Sequence, residues 1–148
     1  EKISEGEYSG AVNMPLPTGI EYRELDGVLL PIVSFSGISH IISEGILTRE
    51  SAGKSIQKWC AELAVEALGV MFIDSGRLTP FVYVAATDTA VWEKSCASGT
   101  VAVAAYFAFA QPGGTLSAAS ELNNTGLCSL TLKGRVVLSD EHLICLQM

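Results

Sequence analysis

Two rhythms of apolar and polar residues alternate along the chain. The acidic start is broken by Met14-Pro15-Leu16-Pro17-Thr18-Gly19, where two close prolines followed by glycine favour a strand end and a turn over a helix. Strands are then expected over 20–26 and 27–35. The second, Val28-Leu29-Leu30-Pro31-Ile32-Val33-Ser34-Phe35, is apolar enough for a core, and Pro31, lacking an N–H, places it at an edge or a bulge. Ser36-Gly37-Ile38-Ser39-His40 reads as a turn-like break. Over 51–68 the period changes: Ile56, Trp59, Cys60, Leu63, Ala64 and Ala67 recur every three or four residues, with Lys54, Lys58, Glu62 and Glu66 on the other side. This predicts an amphipathic helix, stopped by Gly69. Short strands are expected over 70–74 and 80–86, separated by the turn 75–77, and later over 126–132, 135–138 and 142–146, with 133–134 as a tight turn.

Ten consecutive hydrophobic residues span 101–110, closed by Gln111-Pro112-Gly113-Gly114, and no charge falls between Lys94 and Glu121. A membrane-spanning helix needs about 20 apolar residues, so this shorter run reads as a core helix. A helix apolar on every face must be surrounded by protein, and strands are the elements available to do it. The expected fold class is α+β, a curled, mostly antiparallel sheet wrapped around one buried central helix, with one outer helix.

Composition narrows the partners. The chain has 148 residues, a net charge of −7, 49% hydrophobic and 17% charged residues, which suits one compact domain over 1–148 and excludes a disordered chain. The acidic balance and the lack of a basic cluster argue against nucleic acid and anionic membranes. Cys60, Cys96, Cys128 and Cys145 form no Cys-x-x-Cys pair, and two isolated His residues cannot build a metal site; free thiols, no metal and no cofactor are expected. The chain starts at Glu1 without Met or an apolar leader, so the expectation is an excised or processed piece of a cytoplasmic protein.

The chemistry concentrates in Trp92-Glu93-Lys94-Ser95-Cys96-Ala97-Ser98-Gly99-Thr100, which leads into the apolar helix. Unpaired N–H groups at a helix start attract a carboxylate, and small residues at 97–99 let it approach. The same positive end is expected to lower the thiol pKa of Cys96. In the alternative reading, Cys96 is a small buried residue and Ser95 or Ser98 caps the helix.

Cys96-Ala97-Ser98-Gly99-Thr100 resembles the Cys-Gly-Ser-Gly-Thr motif in the second half of diaminopimelate epimerases and related amino-acid racemases that work without pyridoxal phosphate. Val12-Asn13-Met14-Pro15-Leu16-Pro17, Val33-Ser34-Phe35-Ser36-Gly37-Ile38-Ser39-His40, Gly69-Val70-Met71-Phe72-Ile73 and Gly134-Arg135-Val136 are similar to other family segments, in the family's order. The resemblance implies two pseudo-symmetric halves with an amino-acid substrate between them, this chain being the C-terminal half. It implies a two-base mechanism in which a thiolate removes the α-proton while a thiol on the opposite face delivers another. Cys96 would be one acid/base, with Ala97, Ser98 and Gly99 N–H groups holding the α-carboxylate. The missing N-terminal half would carry the second cysteine, since Cys60, Cys128 and Cys145 lack a comparable context. The chain alone is expected not to racemise, and a homodimer is compatible with this picture.

Departures from the family pattern bear on substrate. Ile38, Gly69 and Thr87-Asp88 stand where diaminopimelate epimerases have Asn, Asn and a Glu-Arg pair, so the grip on a distal amino-acid group is lost. A histidine racemase-like member is favoured, with proline or hydroxyproline racemases next. His40 is read as a structural turn residue before a pocket residue, and His142 as solvent-facing. Glu93, Lys94 and Asp88 are candidates for the cleft or for solvated charges. Trp59 is expected in the core and Trp92 in the cleft wall, and Gly113-Gly114 lacks a phosphate-loop context. A different class stays open: a β-rich binding or assembly domain in which the Cys96 motif is a relic.

Overall fold

The computed structural model describes residues 2–4, 7–8, 14–15, 17–75, 77–94, 96–109, 135–138 and 144–147. In chain order the elements are β1 (Lys2–Ser4), β2 (Glu7–Tyr8), β3 (Gly19–Leu25), β4 (Val28–Phe35), β5 (Ile38–Ser43), α1 (Arg49–Glu62), β6 (Ala67–Asp74), β7 (Arg77–Val84), a 3₁₀ turn (Ala85–Thr87), β8 (Thr89–Trp92), α2 (Ala97–Phe109), β9 (Arg135–Leu138) and β10 (Ile144–Gln147). The strand expected over 126–132, the turns at 111–114 and 133–134, Ser95, Cys128, His142 and the Cys145 side chain lie outside the described residues.

Strands β3 to β8 form one sheet in sequence order. Neighbours are antiparallel except β5 and β6, which run parallel and are joined through α1. The β3–β4 hairpin turns on Asp26-Gly27, with φ of 51° and 77°, the double positive φ of a two-residue type I′ turn. Trp59 Nε1 (2.8 Å) and Lys58 Nζ both donate to the Asp26 carboxylate. These bonds hold its pKa below the ordinary carboxylate value and tie the hairpin to α1. Pro31 sits in an interior strand, not at an edge; the β4–β5 ladder begins one residue later, at Ile32↔Ile41, so the missing N–H falls beyond the paired part.

The sheet is covered on both faces. On one, Ala52, Ile56, Trp59 and Cys60 of α1 pack with Leu25, Leu30, Ile32, Ile41, Leu68, Val70, Phe81 and Tyr83. On the other, Ala102, Val103 and Ala105 of α2 pack with Val33, Phe35, Ile42, Met71, Leu78 and Val82. The α+β class and the mostly antiparallel sheet are as expected. In the described residues α2 lies on one face of the sheet, and Phe107 near its end is 38% exposed; the remaining strands expected to enclose it lie largely outside the described residues. Strand β8, exposed at all four residues, was not expected from the sequence.

Helix α1 starts earlier than expected and ends earlier. Thr48 Oγ1 accepts from Ser51 N–H at 3.1 Å and Ser51 Oγ accepts from Thr48 N–H at 3.2 Å, a reciprocal cap. At the other end Val65 N–H donates to Cys60 O (3.2 Å) and Ala64 N–H to Ala61 O (3.1 Å). These are the paired bonds of a Schellman ending. Its left-handed position is held by Ala64, φ 54°, so Gly69 is not the stop; it lies inside β6. An alanine in that conformation is strained. Ala64→Gly should raise unfolding free energy by about 1 kcal/mol, read as a higher midpoint in denaturant without a change of slope; no gain would show that this end of α1 is not strained.

Candidate active site

Cys96 directly precedes α2 and occupies its capping position. Its carbonyl accepts from Thr100 N–H at 2.9 Å and from Thr100 Oγ1 at 2.8 Å, which starts the helix. Its sulfur accepts from Gly99 N–H at 3.4 Å, the place a serine or aspartate oxygen ordinarily takes. The sulfur thus does the capping that was otherwise assigned to Ser95 or Ser98. The residue is half-buried.

The expected direction of the Cys96 pKa is corrected. Burial pushes the thiol above its ordinary value, and the hydrogen bonds from Ser98 and Gly99, which favour thiolate, do not offset it. Glu93 adds to the rise through its charge and through a side-chain interaction with the thiol. A helix start helps an anion by a fraction of a kcal/mol to about 2 kcal/mol, and desolvation of the thiolate outweighs it here.

Behind the cysteine stands His40, an inner residue of β5 and fully buried. Its Nε2 lies 3.0 Å from Ser98 Oγ, and Ser98 Oγ lies 3.6 Å from Cys96 Sγ. The ring packs edge-on to Phe35, 5.9 Å between centroids. Among the described residues its Nδ1 has no hydrogen-bond partner, an arrangement that costs about 1–3 kcal/mol. Burial lowers the His40 pKa to about 4, so the imidazole is neutral near pH 7. His40 is therefore neither a turn residue nor a surface of the cleft. Its contact with Ser98 joins positions 58 apart, which no local pattern signals.

Two glycines make this packing possible. Gly69 is the register partner of His40 across β5 and β6, and a Cβ there would collide with His40 Nδ1 and lie 2.8 Å from Met71 Cε. A Cβ on Gly99 would run into Met71 Sδ and sit 3.2 Å from Cys96 Sγ. The glycine at 69, where the diaminopimelate epimerase pattern has Asn, thus leaves room for the imidazole and the Met71 methyl.

Other candidates fall elsewhere. Asp88 accepts from Tyr83 OH at 3.0 Å and from Gln57 of α1, on the face opposite Cys96. Trp92 stacks on Phe81 at 4.4 Å between centroids with Arg49 5.1 Å above its ring, also on the α1 side, so it does not line a wall beside Cys96. Trp59 is buried in the core as expected. Cys60 is buried too, donating to Val65 O at 3.2 Å. No helix among the described residues is long and apolar enough to cross a membrane.

A family model described as the histidine racemase CntK N-terminal domain matches residues 1–142. The chain belongs to this family. A histidine racemase of Fusobacterium nucleatum subsp. nucleatum strain ATCC 23726 is 32% identical over 109 residues, covering 70% of this chain and 41% of the relative. The histidine racemase of strain ATCC 25586 is 33% identical over 109 residues with the same coverage. The chain therefore spans about two-fifths of the length of these curated relatives. The family's description speaks of an N-terminal domain, whereas the histidine racemase-like chain was expected to be a C-terminal half.

Gly69→Ala should destabilise the protein by about 1–3 kcal/mol through overpacking; a neutral effect in denaturant unfolding would show that His40 and Met71 can move aside. A histidine with a depressed folded pKa binds its proton more readily when unfolded. Stability is therefore full above the ordinary value of 6.5 and is lost as pH falls toward about 4. Between pH 7 and pH 5 that loss is about 2 kcal/mol, and His40→Gln should remove this part of the pH dependence; an identical dependence in the variant would refute it.

Proposed function

We propose that this chain is one half of an amino-acid racemase that needs no pyridoxal phosphate, with Cys96 as one of two cysteine acid/bases and histidine as the favoured substrate. The reading is carried by one observation: a half-buried cysteine caps the start of α2, beside N–H groups that lack carbonyl partners one turn earlier. Family membership and the names of the relatives support the choice of reaction and amino acid.

In this mechanism the α-carboxylate sits against the Ala97 and Ser98 N–H groups, where negative charge developing on deprotonation meets donors already in place. The Gly99 N–H, expected to join them, is turned toward the cysteine sulfur. Because its pKa is raised, Cys96 rests as the thiol and acts as the proton donor for one enantiomer. A thiolate from the other half takes the α-proton on the opposite face. The Cα–H bond breaks as an S–H bond forms there, while the Cys96 S–H bond breaks as the new Cα–H bond forms. In the reverse direction the roles exchange. The second cysteine belongs to the half that this chain does not contain.

The test uses the full-length protein in D₂O. Histidine should exchange its Cα proton, and Cys96→Ala should slow racemisation by about 10²–10⁴-fold, while the 148-residue chain without the other half should show none. Undiminished turnover in Cys96→Ala, or racemisation by the lone chain, would overturn the proposal.

A further inference from the structure

Ser98 and His40 have no part in the two-base scheme beyond the Ser98 backbone N–H, yet their side chains form a line that ends on the reacting sulfur. His40 Nε2 is 3.0 Å from Ser98 Oγ, and Ser98 Oγ is 3.6 Å from Cys96 Sγ, with the Gly99 N–H on the same sulfur at 3.4 Å. His40 is fully buried, and its other ring nitrogen faces the bare Cα of Gly69 with nothing to bond among the described residues. A purely structural core position would be filled better by an apolar side chain of similar volume, which leaves no buried nitrogen unpaired.

The unpaired nitrogen also decides the direction of the line. An orphaned buried N–H is rarer than an under-used acceptor, so the proton belongs on Nε2 and the bare lone pair on Nδ1. With Nε2–H donating to Ser98 Oγ, the Ser98 hydroxyl hydrogen is left free for the sulfur. We propose that His40 is a positioning residue that holds the Ser98 side chain so that its hydroxyl donates to Cys96 Sγ, favouring the thiolate that appears when Cys96 gives up its proton. The Gly99 N–H is the second donor to that thiolate, and the Glu93 carboxylate is the group that opposes it. Because low pKa keeps His40 neutral over the working range, the line holds its direction there, and His40 itself neither gives nor takes the proton.

This inference rests on Cys96 being the reactive thiol of the proposed racemase, but its test needs no substrate. In the full-length protein, alkylation by iodoacetamide is followed at the Cys96 peptide by mass spectrometry from about pH 6 to about pH 10, which titrates this thiol alone. Ser98→Ala should raise the midpoint by about one unit and slow alkylation near pH 7 about tenfold. Ser98→Thr, which keeps a hydroxyl, should restore most of the rate. His40→Leu should shift the midpoint in the same direction, and His40→Gln, which keeps an N–H donor, should shift it less. Combining Ser98→Ala with His40→Leu should add nothing to Ser98→Ala alone, because both act through one hydroxyl.

An unchanged midpoint in Ser98→Ala, or shifts that add in the double variant, would overturn the proposal. If His40→Leu does not fold, Ser98→Ala and His40→Gln carry the test. Failure of the racemase reading looks different: the midpoints shift as stated, yet no amino acid exchanges its Cα proton in D₂O.

Discussion

The distance between α2 and the sheet is set by two absent side chains. Gly69 and Gly99 leave space that His40 and Met71 fill, and through them the first turn of α2 comes close to β5 and β6. Every feature of the candidate site depends on this approach. It brings Ser98 within hydrogen-bond distance of a strand residue, it half-buries the Cys96 sulfur, and it sets burial against the donors of the helix start. The thiol that results is a weaker acid than a solvent-exposed cysteine, although three of its neighbours are small and two donate to it. In the proposed two-base scheme, where Cys96 would alternate between giving and taking a proton, a resting thiol with donors already aimed at its sulfur is a workable compromise.

The two faces of the sheet divide the labour. The α1 side is held by large side chains, with Trp59 both packed and hydrogen-bonded to the Asp26 turn, and it absorbs Asp88 and Trp92 as structural residues. On the α2 side the helix itself contributes only small and medium buried residues, Ala102, Val103 and Ala105, so it can lie close and present its start. The family match supports reading that start as functional, since the same segment carries the resemblance to amino-acid racemases.

Local rules made part of this legible. A cysteine followed by small residues and a long apolar run announced the start of α2, and the strands expected over 20–26 and 27–35 were found, although Asp26 and Gly27, counted as their ends, form the turn between them. The apolar period gave most of α1, but its end escaped notice because alanine, not glycine, takes the left-handed position at residue 64. Gly69 was misread for a related reason: its role is room for a ring from another strand, which no neighbouring residue reveals. The same holds for His40, whose partner is far along the chain. The pKa of Cys96 was misjudged because the helix end can be read from sequence, whereas depth of burial is a property of the packed whole. Strand β8 is short and exposed, with no apolar alternation to mark it.

His40 and Gly69 face each other across the single parallel pair of the sheet, β5 and β6. Antiparallel neighbours such as β3–β4 and β6–β7 can zip from their turns, but this pair must wait until α1 has carried the chain back across the sheet, closing a loop of about thirty residues. The seam where the imidazole sits therefore carries a larger loop-closure cost than the hairpins, and the environment of the thiol depends on this non-local pairing. The burial that sets the acidity of Cys96 and the hydrogen bond to Ser98 beside it thus come from a contact between distant parts of the chain, and without that contact the sulfur has neither.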